Sequence, residues 1–206
     1  MDYTKLISDY IDLEINILKE LDVHDINAAI NLLEETRKRD GTIYIFGNGG
    51  SSTTASHYVN DFNKGISEHI EQKFRFQCLN DNMATVMAVA NDIGFEEVFR
   101  FQLLNKLMPE DIVIAISGSG NSKNVLNAVH YARQQKCKVI GLTGYDGGEL
   151  KRLSDISIHV PVNSMQITED IQMALDHLMM SVFYKKLCDI EHFAAKEQTE
   201  CQKKTE

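Results

Sequence analysis

The strongest constraint on the fold is a unit that repeats five times after residue 41. Each unit has a short β-branched or aromatic run, then a turn and an amphipathic helix. The runs are TIYIF (42–46), FRFQCL (74–79), DIVIAI (111–116), KVIGL (138–142) and ISIHV (156–160). Strands that alternate with helices predict an α/β fold with a parallel sheet and helices on both faces. The third and fourth runs are almost wholly apolar, which is typical of strands buried on both faces.

Two helical patterns precede the first strand. Residues 3–21 place Leu, Ile and Tyr at mixed helical spacings, too many for one narrow stripe. We therefore expect a helix buried on more than one side, with a second subunit as one candidate partner. The chain has two prolines and no Ser/Gly-rich linker. We predict a single domain over 1–190, with N-terminal helices at 3–39, a core at 41–188 and a polar tail at 191–206.

Charge and composition exclude several kinds of partner. The 206 residues carry 21 Lys plus Arg against 30 Asp plus Glu, a formal net charge of -9. Nucleic acid and anionic lipid both need a concentrated basic surface, so we expect no direct nucleic-acid binding. The N-terminus is acidic where a signal peptide is basic, and no apolar run approaches the ~18 residues of a membrane span. The four cysteines form no CxxC pair, so we interpret them as reduced thiols of a cytoplasmic protein without membrane contact.

Two Gly/Ser-rich loops follow strands at equivalent places. GNGGSS (47–52) comes directly after the first strand, and SGSGNS (117–122) comes directly after the third. Ligands of open parallel sheets bind beyond the carboxyl ends of the strands. Glycines let backbone N–H groups point into one concavity, and serine hydroxyls with a helix N-terminus complete an anion site. Such loops also serve as plain connections, but two at equivalent places favour a phosphate site.

The form of the loops narrows the ligand. Neither loop matches GxGxxG or GxxxxGK[ST], so we expect no nucleotide cofactor. A sugar phosphate fits better, because a single phosphate needs one cradle and its hydroxyls need polar side chains. A third loop, TGYDGG (143–148), is interpreted as a plain turn.

Polar side chains on two helices are candidates for chemistry. His57 and Asp61 are four residues apart and therefore neighbours on one helix face. This spacing suits a metal site or an acid/base pair, and a solvated polar face gives the same pattern. On the final helix, Gln172 and Asp176 share a face. His177 points roughly 140° away from Gln172 at 100° per residue.

Two further segments have simpler interpretations. The segment ANDIGF (90–95) breaks an apolar helix and is either a turn capped by Asp92 or a site. The final helix is predicted over 166–188. Glu169 and Asp170 lie in its first turn, where the helix dipole favours acids without any catalytic role.

Together, GNGGSS, SGSGNS, ANDIGF, LTGYDGG and the IQ of the last helix resemble the SIS (sugar isomerase) domain. The nearer match is its phosphoheptose isomerase branch, over about residues 2–188. The resemblance implies a three-layer αβα sandwich with a five-stranded parallel sheet and two N-terminal helices. It also implies a homotetramer with active sites between subunits. The activity implied is an aldose–ketose isomerisation of sedoheptulose 7-phosphate to a manno-heptose 7-phosphate through an enediolate.

The resemblance also assigns residues, motif by motif. The substrate-binding positions that it implies are Asn48, Gly49, Gly50, Ser51, Asn91, Asp92, Ser117, Gly118, Ser119, Ser122 and Gln172. Family members often hold zinc, and the matching ligands here are His57, Asp61 in place of a glutamate, and Gln172.

The family's catalytic histidine position is occupied by Met180 in this chain. We take Asp61 as the first candidate for the base, and Asp176 or His177 as the second acid/base. His177 is expected on another part of the helix, so that it needs a shift to substitute for the missing histidine.

A second hypothesis is a non-catalytic SIS-domain protein, either a sugar-phosphate sensor or a scaffold. Some relatives without the catalytic histidine are partners of the bacterial replication initiator protein. Met180 favours this interpretation, while the intact Ser-rich loops favour retained ligand binding. A DNA-binding module is a third class, and the acidity of the chain argues against it.

Overall fold

Five parallel strands form the centre of the fold in the computed structural model, which describes residues 1–188. They are β1 (Ile43–Gly47), β2 (Phe76–Cys78), β3 (Ile112–Ser117), β4 (Lys138–Thr143) and β5 (Ile156–His159). Their order across the sheet is β2-β1-β3-β4-β5. Each strand lies within two residues of a predicted run, so the predicted parallel sheet is confirmed.

Helices cover both faces of this sheet. They are α1 (Thr4–Glu20), α2 (Val23–Lys38), α3 (Gly50–Asn60), α4 (Met83–Asp92), α5 (Arg100–Leu103), α6 (Lys123–Gln134), α7 (Gly148–Leu153) and α8 (Met165–Leu187). Alternate strand residues point to two separate apolar cores. Ile43 and Ile45 face the core under α2, α3 and α8, whereas Tyr44 and Phe46 face the core under α4 and α6. The three-layer αβα sandwich is therefore confirmed.

The register of the sheet brings two loops together. Gly47 at the end of β1 pairs with Ile116 near the end of β3. From β1 the chain continues to β2 on one side of the sheet, and from β3 it continues to β4 on the opposite side, so the strand order reverses between β1 and β3. Ligands of open α/β sheets bind in the crevice at such a reversal of strand order. The loops at 47–52 and 117–122 both open onto this crevice.

Helices α3 and α8 lie side by side and run in the same direction. Gly50 at the start of α3 faces Glu169, the fifth residue of α8. Further along the chain, a Cβ on Gly65 would stand 2.7 Å from Met180 Cε. Met180 therefore packs against the segment after α3 and the adjoining core.

A π-helical turn, Asp61–Ile66, continues α3 and is followed by a 3-10 turn, Ser67–His69. Asn63 projects from the π-helical turn to the edge strand β2. Its side-chain amide donates to the Phe76 carbonyl and its side-chain oxygen accepts from the Phe76 N–H, both at 2.8 Å. These two bonds fix the turn that begins with Asp61 against the sheet.

Helix α1 leaves most of its apolar side chains exposed. Ile17 is its one buried residue. The exposed large apolar side chains from this segment are Tyr3, Leu6, Ile7, Tyr10, Ile11, Leu13, Ile15 and Leu18. The expectation of a helix buried on more than one side is therefore wrong for a single chain. The helix lies outside α8, held by Ile17 in the core and by the Tyr10 hydroxyl, which donates to Asp170.

Three of the four cysteines, Cys78, Cys137 and Cys188, are free and buried, as predicted. Cys201 and the predicted tail at 191–206 lie outside the described residues. Among the described helices, none has the length and apolarity to cross a membrane.

Candidate functional site

A cleft of about 240 Å³ lies at the carboxyl ends of β1 and β3. Its lining comprises Asn48, Gly49, Gly50, Ser51, Ile116, Ser117, Gly118, Ser119, Ser122, Met165 and Glu169. Eight of these residues come from the two predicted loops. The structure thus brings the first loop and the Ser-rich loop together in one concavity.

Hydrogen bonds within and around the Ser-rich loop hold its shape. The Ser117 hydroxyl donates to the Ser122 hydroxyl at 3.3 Å, and Ser119 Oγ accepts from the N–H of Asn121 at 3.2 Å. Gly120 has a φ of 65° and a Cβ there would stand 2.0 Å from the Gly147 carbonyl oxygen. The third loop thus braces the second, in agreement with its interpretation as a turn.

A buried amide pair links the two loops. Asn48 Nδ2 donates to Asn124 Oδ1 at 2.9 Å, and Asn124 Nδ2 donates back to Asn48 Oδ1 at 2.8 Å. Asn124 is 2% exposed and lies in the first turn of α6. Sequence reasoning missed this residue, although a polar side chain on the buried face of α6 was an available signal.

The electrostatics of the cleft favour a small anion. Helices α3 and α6 both begin at the cleft and direct their positive dipole ends towards it. Lys and Arg are absent from the described residues that line the cleft. Backbone N–H groups and the hydroxyls of Ser117, Ser119 and Ser122 are the donors that a phosphate would meet.

A cluster of ionisable side chains lies two helical turns from the cleft, between α3 and α8. His57 Nε2 is 3.1 Å from His177 Nε2 and 3.4 Å from Asp61 Oδ2. Asp176 Oδ2 is 3.9 Å from His57 Nε2. One ligand atom from each of the four residues lies within 4.8 Å of the others.

His177 reaches this cluster without any shift of the helix, whereas its substitution for the missing catalytic histidine stays a prediction. His177 Nε2 already lies 3.8 Å from Asp61 Oδ2. His57 lies on the exposed side of α3, and the residue of α8 that contacts it there is His177. Met180 instead contacts Gly65, after the end of α3. The angular separation from Gln172 on one helix did not fix which residue meets the neighbouring helix.

Buried polar atoms without partners surround this cluster. Asp176 is 0% exposed, and neither carboxylate oxygen has a hydrogen-bond partner within residues 1–188. Burial, and then the nearby Asp61 carboxylate, raise the pKa of Asp176 to about 8. The amide of Gln172 and the hydroxyl of Tyr58 are also buried and unpaired in the described chain. Such orphaned groups are costly unless a ligand satisfies them.

The donor set fits a divalent metal ion. Imidazole nitrogens and carboxylate oxygens are common ligands of zinc. Gln172, whose buried amide is unpaired in the described chain, lies one turn before Asp176 on α8. Asp61, Asp176 and the two histidines are therefore the residues that could hold a metal. Sequence reasoning placed His57 and Asp61 together and did not name Asp176 as a ligand.

Three predicted substrate residues lie outside the lining of the cleft. One is Gln172, which is buried on α8, and the others are Asn91 and Asp92. Asn91 and Asp92 end α4 and are exposed, with Asn91 Nδ2 donating to Asp92 Oδ1 at 2.7 Å. Conversely, the prediction that Glu169 and Asp170 lie in the first turn of the last helix is wrong, because α8 begins at Met165 and has no acid in its first turn. The carboxylate of Glu169 instead enters the cleft. Its side chain reaches across to the start of α3.

Comparisons with known proteins agree with this architecture. The SIS domain model matches residues 9–144. The phosphoheptose isomerase of Helicobacter pylori is 35% identical over 172 residues, which are 83% of this chain and 85% of that protein. The phosphoheptose isomerase of Buchnera aphidicola is 30% identical over 191 residues, 90% of this chain and 97% of its own.

A solved structure leads to the same family. The phosphoheptose isomerase from Neisseria gonorrhoeae superposes with a TM-score of 0.81 and 26% identity, covering 88% of this chain and 98% of that one. Sequence identity of 30% or more over most of the chain, with the matching SIS domain model, shows the family. The chain belongs to the SIS domain family and, within it, to the phosphoheptose isomerases.

Proposed function

We propose that this protein is an aldose–ketose isomerase that converts sedoheptulose 7-phosphate to a manno-heptose 7-phosphate. The observation that carries the proposal is the separation of the phosphate cleft from the ionisable cluster along two parallel helices. Gly50 and Glu169 lie at the cleft, and His57 and Asp176 lie seven residues further along α3 and α8 respectively. At 1.5 Å per residue the two places are about 10 Å apart.

A heptose 7-phosphate has the length to span this distance. With carbon–carbon bonds of about 1.5 Å, an extended chain advances about 1.25 Å per bond. The phosphorus atom is then about 9 to 10 Å from the C1–C2 pair, where the isomerisation takes place. In our proposal Ser119 and Ser122 hold the phosphate, and the sugar extends along α3 and α8 so that its reacting carbons lie beside His57 and Asp61.

The reaction moves one proton between neighbouring carbons. A base removes a proton from C1 of the ketose, and the enediolate that forms is protonated at C2. Asp61 is the base in our proposal, because its buried carboxylate lies within the cluster. His177, whose side chain is 56% exposed, is the second acid/base and moves protons at O1 and O2.

Zinc is the metal that we propose for the cluster. His57, Asp61 and Asp176 would hold it, and the predicted ligand Gln172 lies one turn before Asp176 on α8. His177 is then left to move protons. A bound divalent ion supplies polarisation of the two sugar oxygens. The chain's own residues position the sugar and carry its protons.

A homotetramer in the cytoplasm completes the proposal. The exposed apolar face of α1 and the exposed Leu178 and Val182 of α8 support burial against other copies. Asn91 and Asp92, which lie outside their own cleft, would then be supplied to the site of a neighbouring subunit. The buried free cysteines support a reducing compartment.

Deuterium exchange tests the activity. The purified protein is incubated with sedoheptulose 7-phosphate in D2O, with and without zinc, and solvent deuterium in the sugar is measured. We expect exchange and product, and an Asp61→Asn variant should lose both. No exchange despite ligand binding would favour the non-catalytic sensor or scaffold, the alternative that Met180 supports.

Two comparisons sharpen this test. A pentose 5-phosphate is about 2.5 Å shorter, so it should exchange about 100-fold more slowly, as expected for reacting atoms misplaced by more than 1 Å. Replacing Ser119 and Ser122 by alanine should weaken phosphate-ester binding by roughly 1 to 3 kcal/mol. Unchanged affinity in this double variant would mean that the phosphate binds elsewhere.

A further inference from the structure

The carboxylate of Glu169 lies beside the start of α3, one of the two helix N-termini at the cleft. Its oxygens lie 2.3 and 2.5 Å from the point where a Cβ on Gly50 would stand. That point is about 1.5 Å from the Gly50 Cα, so the carboxylate is in contact with the backbone at the start of α3. The lack of a side chain at Gly50 makes room for it.

The two N-termini of the cleft are therefore unequal. The start of α6 faces the hydroxyls of Ser117, Ser119 and Ser122, which can donate to a phosphate. The start of α3 faces a carboxylate that the protein itself supplies. Lys and Arg are absent from the described lining, so no cation there offsets the charge of Glu169. A second anion bound beside the first would therefore be repelled by this carboxylate.

Two adjacent helix N-termini otherwise suit a diphosphate, whose two phosphorus atoms need neighbouring anion subsites. We propose that Glu169 is a specificity-determining residue that makes the cleft selective for a single phosphate monoester over a diphosphate. The inference rests on the proposed function, because it takes the start of α6 as the site of the sugar phosphate. The carboxylate of Glu169 repels a second anion at the start of α3 and is available to accept hydrogen bonds from sugar hydroxyls.

Calorimetric titration of the metal-free protein with inorganic phosphate and with inorganic pyrophosphate tests this role. We expect wild type to bind phosphate at least tenfold more tightly than pyrophosphate. Glu169→Gln should raise pyrophosphate affinity at least tenfold and change phosphate affinity much less. Glu169→Asp, which keeps the charge, should retain most of the preference.

Asp170→Asn is the matched control, since it removes the same charge from the adjacent position, where Asp170 contacts Tyr10. It should leave the affinity ratio unchanged. An unchanged ratio in Glu169→Gln, or an equal change in Asp170→Asn, would overturn the inference. A thermal melt of each variant confirms folding, and failure of both Glu169 variants to fold would assign the residue to structure and also reject the inference.

The two proposals fail separately. If wild type exchanges deuterium into sedoheptulose 7-phosphate but Glu169→Gln keeps the ratio of phosphate to pyrophosphate affinity, only the role of Glu169 is rejected. If this affinity ratio shifts but wild type shows no deuterium exchange, only the isomerase activity is rejected. Absence of phosphate binding in wild type would reject the cleft as an anion site and the role of Glu169 with it.

Discussion

Replacing Asp176 by asparagine should remove most of the pH dependence of stability in the metal-free protein. The Asp176 side chain is 0% exposed and its oxygens have no partner within the described chain. Burial first, and the Asp61 carboxylate second, raise its pKa from 3.8 to about 8. Over that range the folded protein keeps a proton that the unfolded chain has released.

The direction and size of the effect follow from proton linkage. Because the folded state binds more protons, the free energy of unfolding falls as pH rises, by about 1.4 kcal/mol per pH unit. The stabilisation is fully present below pH 3.8 and is lost as pH rises through about 8. The upper limit of this change in the free energy of unfolding is about 6 kcal/mol, which is large beside the roughly 5 to 15 kcal/mol by which a typical domain is stable. Local relaxation around the ionised group reduces this limit to several kcal/mol.

Urea unfolding of metal-free protein at pH 5 and pH 8, at one protein concentration, measures the effect. Wild type should lose several kcal/mol between the two values. Asp176→Asn, which has no charge to gain, should lose less than about 1 kcal/mol. Asp170→Asn, an exposed acid on the same helix, should keep the wild-type slope. Parallel profiles for wild type and Asp176→Asn would refute the reasoning.

Three further substitutions probe the loops and the cluster. Gly120→Ala should lower the free energy of unfolding in urea by at least about 2 kcal/mol, because its Cβ would clash with a facing backbone carbonyl. Gly49→Ala, also at positive φ but in open space, should lower it by about 1 kcal/mol. Equal losses would contradict the bracing of the Ser-rich loop. Asn124→Ala removes both hydrogen-bond partners of the Asn48 amide and should lower the free energy of unfolding by about 1 to 3 kcal/mol in the same assay. A neutral result would mean that the amide pair does not hold the loops together. His57→Ala should weaken zinc binding at least about tenfold in a chelator competition, while His130→Ala, outside the cluster, should not. Unchanged zinc affinity in His57→Ala would remove His57 from the ligand set.

Local patterns predicted the sheet well because they act within one element. Apolar runs set the strands, and the Gly/Ser turns after β1 and β3 set the cleft, since parallel strands end at one edge. The neighbouring positions of His57 and Asp61 followed from helical spacing alone.

Contacts between helices were less predictable. The angle between Gln172 and His177 on α8 did not show which residue α3 meets, because that depends on the rotation of both helices. Nor did the acidic pair near the start of α8 show that Glu169 crosses to Gly50. For α1, the apolar pattern does not show whether the helix is buried by its own chain or by another copy, because both give the same spacing of apolar residues.

The two bonds from Asn63 to Phe76 also bear on how copies of this chain can meet. Phe76 lies in β2, an edge strand whose outward N–H and carbonyl are a template for pairing with a strand of another molecule. Asn63 satisfies both groups at this residue, in the manner of an adjoining strand. At this position the sheet cannot grow by edge-to-edge pairing. Association through helix faces, rather than runaway β-aggregation, is the route that this side of the molecule leaves open.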